Sequence, residues 1–243
     1  MSESKKPYLS PSQLESYTRC GEAYRRSYIL GEKIPPAIAM IKGTAVHKAA
    51  EDNFRQKITT KKDLKNKEVI DRAVSAFEEA VKHEGIWLND EEKQVNKKKL
   101  LGEAKDTIVI TTEAMIEQVA PKYQPSEVEI TQRIVMPDSS RDLEGRLDMI
   151  TEDKKIVDLK TGKKSMSQSD ADKMTQLSFY DLTYRAKHNE APQGLVIEQI
   201  VASKSGVKLN TLVTQRTNDD LQALVNRLNT MIKGFEEGES HND

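Results

Sequence analysis

The sequence predicts an α/β fold in which a mixed β-sheet is flanked by helices and preceded by a helical N-terminal part. Three observations carry that prediction. Apolar residues recur at helical spacing up to about residue 121, with Val69, Ala73, Phe77 and Ala80 forming one stripe and Ile108, Thr112, Met115, Ile116 and Val119 another. From Glu127 onward the period falls to two, in runs over residues 127–136, 143–150 and 156–160. Residues 194–202 are almost continuously apolar, as a strand covered on both faces should be.

Each element follows in order. Residues 1–8 are polar and expected to fray. Ser10 can cap a helix with Pro11 at its first position, and Leu14, Tyr17, Tyr24 and Tyr28 then fall near one face, a spacing suited to packing. Pro35-Pro36 interrupts the chain before a helix that carries His47 and runs through Phe54. The two longer helical stripes come next, placing a cap or wall ahead of the sheet. The runs 143–150 and 156–160 are joined by Thr151-Glu152-Asp153-Lys154-Lys155, whose composition is that of a turn, so the two strands form a hairpin. Ser169-Asp170-Ala171-Asp172 matches a capping box and opens a helix to about His188. Residues 207–213 alternate as an outer strand would, and Thr217-Asn218-Asp219-Asp220 begins a last helix with Leu221, Leu224, Val225, Leu228, Ile232 and Phe235 on one stripe. The expected organisation is one domain over residues 1–243. Its mainly helical part is 9–121, its α/β core 122–238, and flexible tails lie at 1–7 and 239–243. There is no internal repeat.

Composition limits the function classes. A chain of 243 residues can bury a sizeable core. With a formal net charge of −1, any attraction for nucleic acid has to come from local patches. The Lys/Arg clusters at 61–67, 97–99 and 25–26 read as solvated helix surface. No run of 18 apolar residues is present, so no membrane partner is expected. The single cysteine, Cys20, gives no intrachain disulfide framework, which fits a reducing cytoplasm. Gly162-Lys163-Lys164-Ser165 has the ending of a phosphate-binding loop, but the leading glycine would fall at residue 157, a valine, so no ATP site is expected.

The chemistry concentrates between Gly145 and Gly162. Gly145-Arg146-Leu147-Asp148 lies on one strand of the hairpin and Ile156-Val157-Asp158-Leu159-Lys160-Thr161-Gly162 on the other. Alternation sends Asp158 and Lys160 to one face and Val157 and Leu159 into the core, and the hairpin sets Asp148 beside Asp158. Two neighbouring carboxylates repel unless a divalent cation lies between them, and hard oxygen ligands suit Mg²⁺ or Mn²⁺. The backbone carbonyl of Leu159 can add another oxygen. Lys160 beside a metal-bound phosphate can position water or stabilise developing charge. This grouping points to metal-dependent phosphodiester cleavage. Lys163 and Lys164, just past the second strand, are placed for phosphate contact. Gln176 and Tyr180 are four apart and share a helix face.

The order Gly43…His47, Gly145…Asp148, Asp158-Leu159-Lys160, Gln176…Tyr180 resembles the RecB-type branch of the PD-(D/E)XK nuclease superfamily, and residues 9–20 resemble that family's first helix. The likeness runs from about Tyr8 to Tyr180. It implies a restriction-endonuclease-like fold and DNA cleavage with Mg²⁺ or Mn²⁺. It also implies His47 as a metal ligand, Asp148 and Asp158 as carboxylate ligands, Lys160 as the catalytic lysine, and Gln176 and Tyr180 as residues that orient DNA or support the site. Some members use a glutamate on the strand before the hairpin, which singles out Glu129 as a further ligand. Two departures stand out. The second acid is aspartate where glutamate is frequent, and one cysteine cannot hold the four-cysteine iron–sulfur cluster of several relatives. By analogy with small stand-alone phage and bacterial relatives, the expected activity is an exonuclease in recombination or repair. It would act in the cytoplasm of a bacterial or phage-infected cell, with DNA and a recombination or single-strand-annealing protein as partners. The alternatives are an endonuclease with the same chemistry and a non-catalytic DNA-binding scaffold.

Overall fold

The computed structural model describes residues 6–136, 139–203 and 206–239. Of the two expected tails, residues 1–5 and 240–243 lie outside the described residues. Lys6 and Pro7, expected to fray, are instead tied down: Asp142 N donates to Pro7 O at 2.9 Å and Lys6 Nζ to Met136 O at 3.1 Å. They lead into β1 (Tyr8–Leu9), a strand too short to leave a periodic signal in the sequence.

Ser10 caps α1 (Pro11–Arg19) by accepting from Gln13 N at 3.3 Å, with proline in the first turn where its missing N–H is harmless. α2 (Gly21–Tyr24) passes into a π-helical turn at Arg25–Ile29. Within the tyrosine stripe Tyr24 is buried and stacks on Phe235 at 5.3 Å, whereas Tyr28 caps it from the surface.

Three long helices, α3 (Ile38–Thr60), α4 (Asn66–Glu84) and α6 (Lys97–Ala114), pack on one another, with the single turn α5 (Asp90–Lys93) between the last two. Their apolar stripes, including Ala45, Ala49, Val69, Phe77 and Ile108, meet Val128, Met149, Val157 and Leu159 on one face of the sheet. The buried Lys57 ammonium locks the far end of α3, donating to Asp63 Oδ2 and to the Ala120 carbonyl, each at 2.8 Å.

On the other face lie α7 (Gln168–Lys173), α8 (Thr175–His188) and α9 (Asn218–Glu239). Leu177, Tyr180 and Tyr184 of α8 cover Leu147, Ile156, Leu195 and Ile197, and Leu224, Leu228 and Met231 of α9 close over Leu9, Leu143 and Phe179. The helix expected from Ser169 to His188 is two helices. Ser167, two residues earlier, presents the same capping chemistry: it accepts from Asp170 N at 3.2 Å while Asp170 accepts from Ser167 N at 2.8 Å. Met174 adopts an extended conformation between them (φ −66°, ψ 113°), and the buried Arg216 guanidinium takes up carbonyls at the break, Ala171 at 2.9 Å and Met174 at 3.1 Å.

The sheet has six strands and is mixed, as expected of a restriction-endonuclease-like fold. β2 (Pro125–Ile134) runs antiparallel along β3 (Asp142–Thr151). β4 (Lys155–Gly162) is antiparallel to β3 only at Met149↔Val157 and Ile150↔Ile156, then runs parallel to β5 (Gly194–Ser203), which pairs antiparallel with the outer strand β6 (Gly206–Thr214). β1 joins β3 in parallel at Tyr8↔Asp142 and Leu9↔Leu143. The edge of β3 away from β2 is therefore paired at both ends and open between them, over residues 144–148. The site lies at this fork.

Candidate metal centre and active site

Beyond Met149↔Val157 the ladder between β3 and β4 stops, and Leu159 N donates instead to Asp148 Oδ2 at 2.9 Å. On the other edge of β3, between the pairs Val128↔Met149 and Ile130↔Leu147, Glu129 stands opposite Asp148 with φ at 51°. That left-handed conformation costs a non-glycine residue about 1–2 kcal/mol. Its consequence is visible in the packing. Val128 and Met149 lie in the core under α3, whereas Ile130 and Leu147, two residues along the same strands, pack on the opposite face. The strict alternation is broken at Glu129 and Asp148, and both carboxylates reach the α3 side.

α3 brings His47 to meet them. One turn earlier, Gly43 lets the helix approach β4, since a Cβ there would sit 3.2 Å from Thr161 Oγ1. His47 Nδ1 lies 3.4 Å from Asp148 Oδ2, and one ligand atom from each of His47, Glu129 and Asp148 falls within 4.8 Å of the others. Arg146 pairs with Glu129. Burial pushes the Asp148 carboxyl well above the usual carboxylate range, and the charge of Asp158 pushes it the same way. Glu129 is raised by burial against the opposing charge of Arg146. Burial lowers His47 and favours its neutral, ligating form, while Asp158 and a hydrogen bond to the Leu159 backbone pull the other way. Two half-buried carboxylates, of which Glu129 alone is paired with an arginine, and an imidazole that burial favours in its neutral form make an oxygen-rich donor set that fits a divalent metal.

Asp158 is fully buried on β4 and stands outside the mutually close trio. It is engaged by Lys160, whose Nζ lies 3.1 Å from Oδ1 and 2.9 Å from Oδ2. Lys160 also donates to Gln176 Oε1 at 2.6 Å, and Gln176 Nε2 donates to the Tyr180 hydroxyl at 2.5 Å. An ammonium can only donate, so it fixes the oxygen of the Gln176 amide toward itself and leaves the nitrogen for Tyr180. The Tyr180 ring is buried in α8, which raises its hydroxyl well above the ordinary tyrosine range; the charges of Asp158 and Asp148 add to this.

His47, Glu129, Asp148, Lys160, Gln176 and Tyr180 all line one cleft of about 510 Å³, walled by α3 on one side and α8 on the other. Lys163 and Lys164 are exposed just past β4. Their loop is pinned from β5, where Gln199 Nε2 donates to Lys164 O at 2.9 Å and Gln199 Oε1 accepts from Met166 N at 2.8 Å. The sequence had left Gly43 and Arg146 without a role, although both stand inside the quoted motifs. Arg146 offered one signal: it lies two residues before Asp148 on the same strand.

The strand fork thus gathers a donor trio that fits a divalent metal and sets an ammonium beside it. A family model for the PD-(D/E)XK nuclease superfamily matches residues 8–243, and the chain belongs to that superfamily. Its members are nucleases that use divalent metals. Among solved structures the chain resembles a candidate exonuclease from Eubacterium rectale, at 14% identity, with 96% of this chain and 82% of that one covered and a TM-score of 0.54. At that identity the likeness speaks to the fold alone. The crystal structure of SSO0001 is matched at 9% identity over 90% of this chain and 82% of that one, with a TM-score of 0.34, too low to carry an argument. No curated protein is matched by the sequence. No helix among the described residues is long and apolar enough to cross a membrane.

Proposed function

We propose that the chain is a Mg²⁺- or Mn²⁺-dependent deoxyribonuclease of the RecB-type branch, acting as an exonuclease in DNA recombination or repair. One observation carries the reading: the trio His47, Glu129 and Asp148 lines a single cleft at the β3–β4 fork together with Lys160, whose ammonium is paired with the buried Asp158 behind it. His47, Glu129 and Asp148 would hold the metal, and Asp158 and the Leu159 carbonyl are the further oxygens that could be drawn on. When bound, the cation polarises the phosphate and lowers the pKa of attacking water.

The chain's own groups supply the rest. Lys160, aimed by Asp158 and Gln176, stabilises the negative charge that grows on the phosphoryl oxygens. Tyr180 and Gln176 act through Lys160 and are positioning residues. Lys163 and Lys164 neutralise phosphates of the strand as it leaves the cleft. Residues 1–243 form one nuclease domain, which is supported by a core that joins α3, α4 and α6 directly to β2–β5. The exonuclease reading draws on the walled cleft, which favours a strand end over uninterrupted duplex. In this reading DNA is the substrate, a recombination or annealing protein the partner, and the cytoplasm the setting.

The test incubates end-labelled single-stranded, duplex and covalently closed circular DNA with Mg²⁺ or Mn²⁺. Degradation from free ends, survival of closed circles, loss with chelator and no need for ATP are expected. Rapid linearisation of closed circles would assign an endonuclease. The absence of any metal-dependent cleavage would remove the nuclease reading.

A further inference from the structure

We infer that the chain carries a nucleotide subsite beside the catalytic cleft, in which Trp87 stacks a base of single-stranded DNA and Lys42 and Lys163 hold its phosphates. The inference rests on the nuclease reading above. A second cavity of about 340 Å³ adjoins the cleft, and Ala39 and Thr161 line both. Trp87 lines this cavity with 49% of its surface exposed. Its backbone is held in place: Trp87 N donates to Pro36 O at 3.0 Å, and Trp87 pairs with Ala37 in an isolated parallel bridge. A half-open indole on an anchored backbone, next to the proposed catalytic cleft, is a surface on which any base can stack.

Two cations flank it. Lys42 projects from α3, one residue before the close approach at Gly43, and Lys163 follows the end of β4. Among the described residues neither makes an ion pair within 4 Å, yet they are close enough that the charge of Lys163 adds to burial in lowering the pKa of Lys42. The carboxylate that lines the cavity, Glu92, favours protonated Lys42 but is turned back onto its own helix start, accepting from Asn89 N at 3.0 Å. Two ammoniums lining one cavity without a bonded counter-ion among the described residues suit a phosphate. Lys163 lies three residues beyond Lys160, roughly 10 Å along the chain. A strand that leaves the metal centre past Thr161 therefore reaches the cavity. Duplex keeps its bases stacked and paired and offers none to the indole, so the subsite selects single strands.

Trp87 is the only tryptophan in the sequence, which makes its fluorescence a direct probe. A labelled single-stranded oligonucleotide is titrated into the protein in chelator, with anisotropy and tryptophan emission followed together. Quenching that saturates along the anisotropy curve is expected, with none from a blunt duplex of the same sequence. Trp87→Ala should weaken binding roughly tenfold or more, and Trp87→Phe, which keeps a ring, should restore most of it. Lys42→Met combined with Lys163→Met should lower the slope of log affinity against log salt by about 1.4. Binding without quenching, together with wild-type affinity in Trp87→Ala, would overturn the subsite and leave metal-dependent cleavage standing. Neither binding nor cleavage would overturn both.

Discussion

The amide of Leu159 donates to Asp148 Oδ2 at 2.9 Å, so a side chain takes the place of a strand carbonyl where β3 and β4 part. The bond lowers the pKa of Asp148 against a larger rise from burial and from the charge of Asp158. The site is thus assembled by ending a ladder early, and among the described residues Asp148, unlike Glu129 and Asp158, has no lysine or arginine paired with it. That condition governs how the protein should respond to metal, pH and substitution.

Asp148→Asn should abolish tight Mn²⁺ binding and stabilise the metal-free protein. The sign follows from the raised carboxyls. Asp148 and Glu129 hold protons in the folded chain above about pH 4, where the unfolded chain releases them, so stability falls as pH rises through their elevated pKa values. His47, lowered in the fold, acts oppositely below about 6.5, so the informative quantity is the difference between wild type and Asp148→Asn. Thermal unfolding in chelator between about pH 5 and 8 should show the variant's advantage grow with pH, and added Mn²⁺ should stabilise the wild type alone. A wild type no less stable than the variant at every pH would contradict the charge assignment.

Lys160→Ala removes the ammonium and leaves the trio intact. Single-turnover cleavage should fall roughly 10²–10³-fold while Mn²⁺ affinity largely persists. Were Lys160 only the partner of Asp158, the variant would cleave at the wild-type rate.

Tyr180→Phe tests the relay. The ring is buried, and deleting it would open a cavity costing about 3–5 kcal/mol, so the conservative change is the informative one. Losing the hydroxyl frees the Gln176 amide and loosens Lys160, and kcat should fall roughly two- to tenfold with KM unchanged. A change confined to KM would place Tyr180 on DNA instead.

The strained backbone at Glu129 has its own signature. In chelator, where its role as a ligand is irrelevant, Glu129→Gly should be more stable than Glu129→Ala by about 1 kcal/mol in urea unfolding, because glycine adopts φ 51° without penalty. Equal stability of the two variants would argue against strain.

Much of this architecture was legible in the sequence, for identifiable reasons. Alternation marked β2 to β4, and the polar turn after Thr151 revealed the hairpin that brings Asp148 and Asp158 to neighbouring strands. The helical stripes gave α4, α6 and α9, and the break at Pro35-Pro36 set off the helix that carries His47, α3. Local pattern could not give β1, whose two residues carry no period, nor the break at Met174, which depends on an arginine 42 residues further along the chain. It also assumed regular alternation at Glu129 and a regular ladder at Asp148. The left-handed residue and the early fork are tertiary features, and they are what group Glu129 and Asp148 with His47 while Asp158 turns to Lys160.

The most direct measurement is the Mn²⁺ dependence of single-turnover cleavage of end-labelled single-stranded DNA, for wild type and Asp148→Asn side by side. A rate that saturates with metal in the wild type, vanishes with chelator and is at least about 10³-fold lower in the variant at every Mn²⁺ concentration is expected of a metal centre at the β3–β4 fork. Cleavage that survives chelator, or a folded Asp148→Asn protein that cleaves as fast as the wild type, would contradict it.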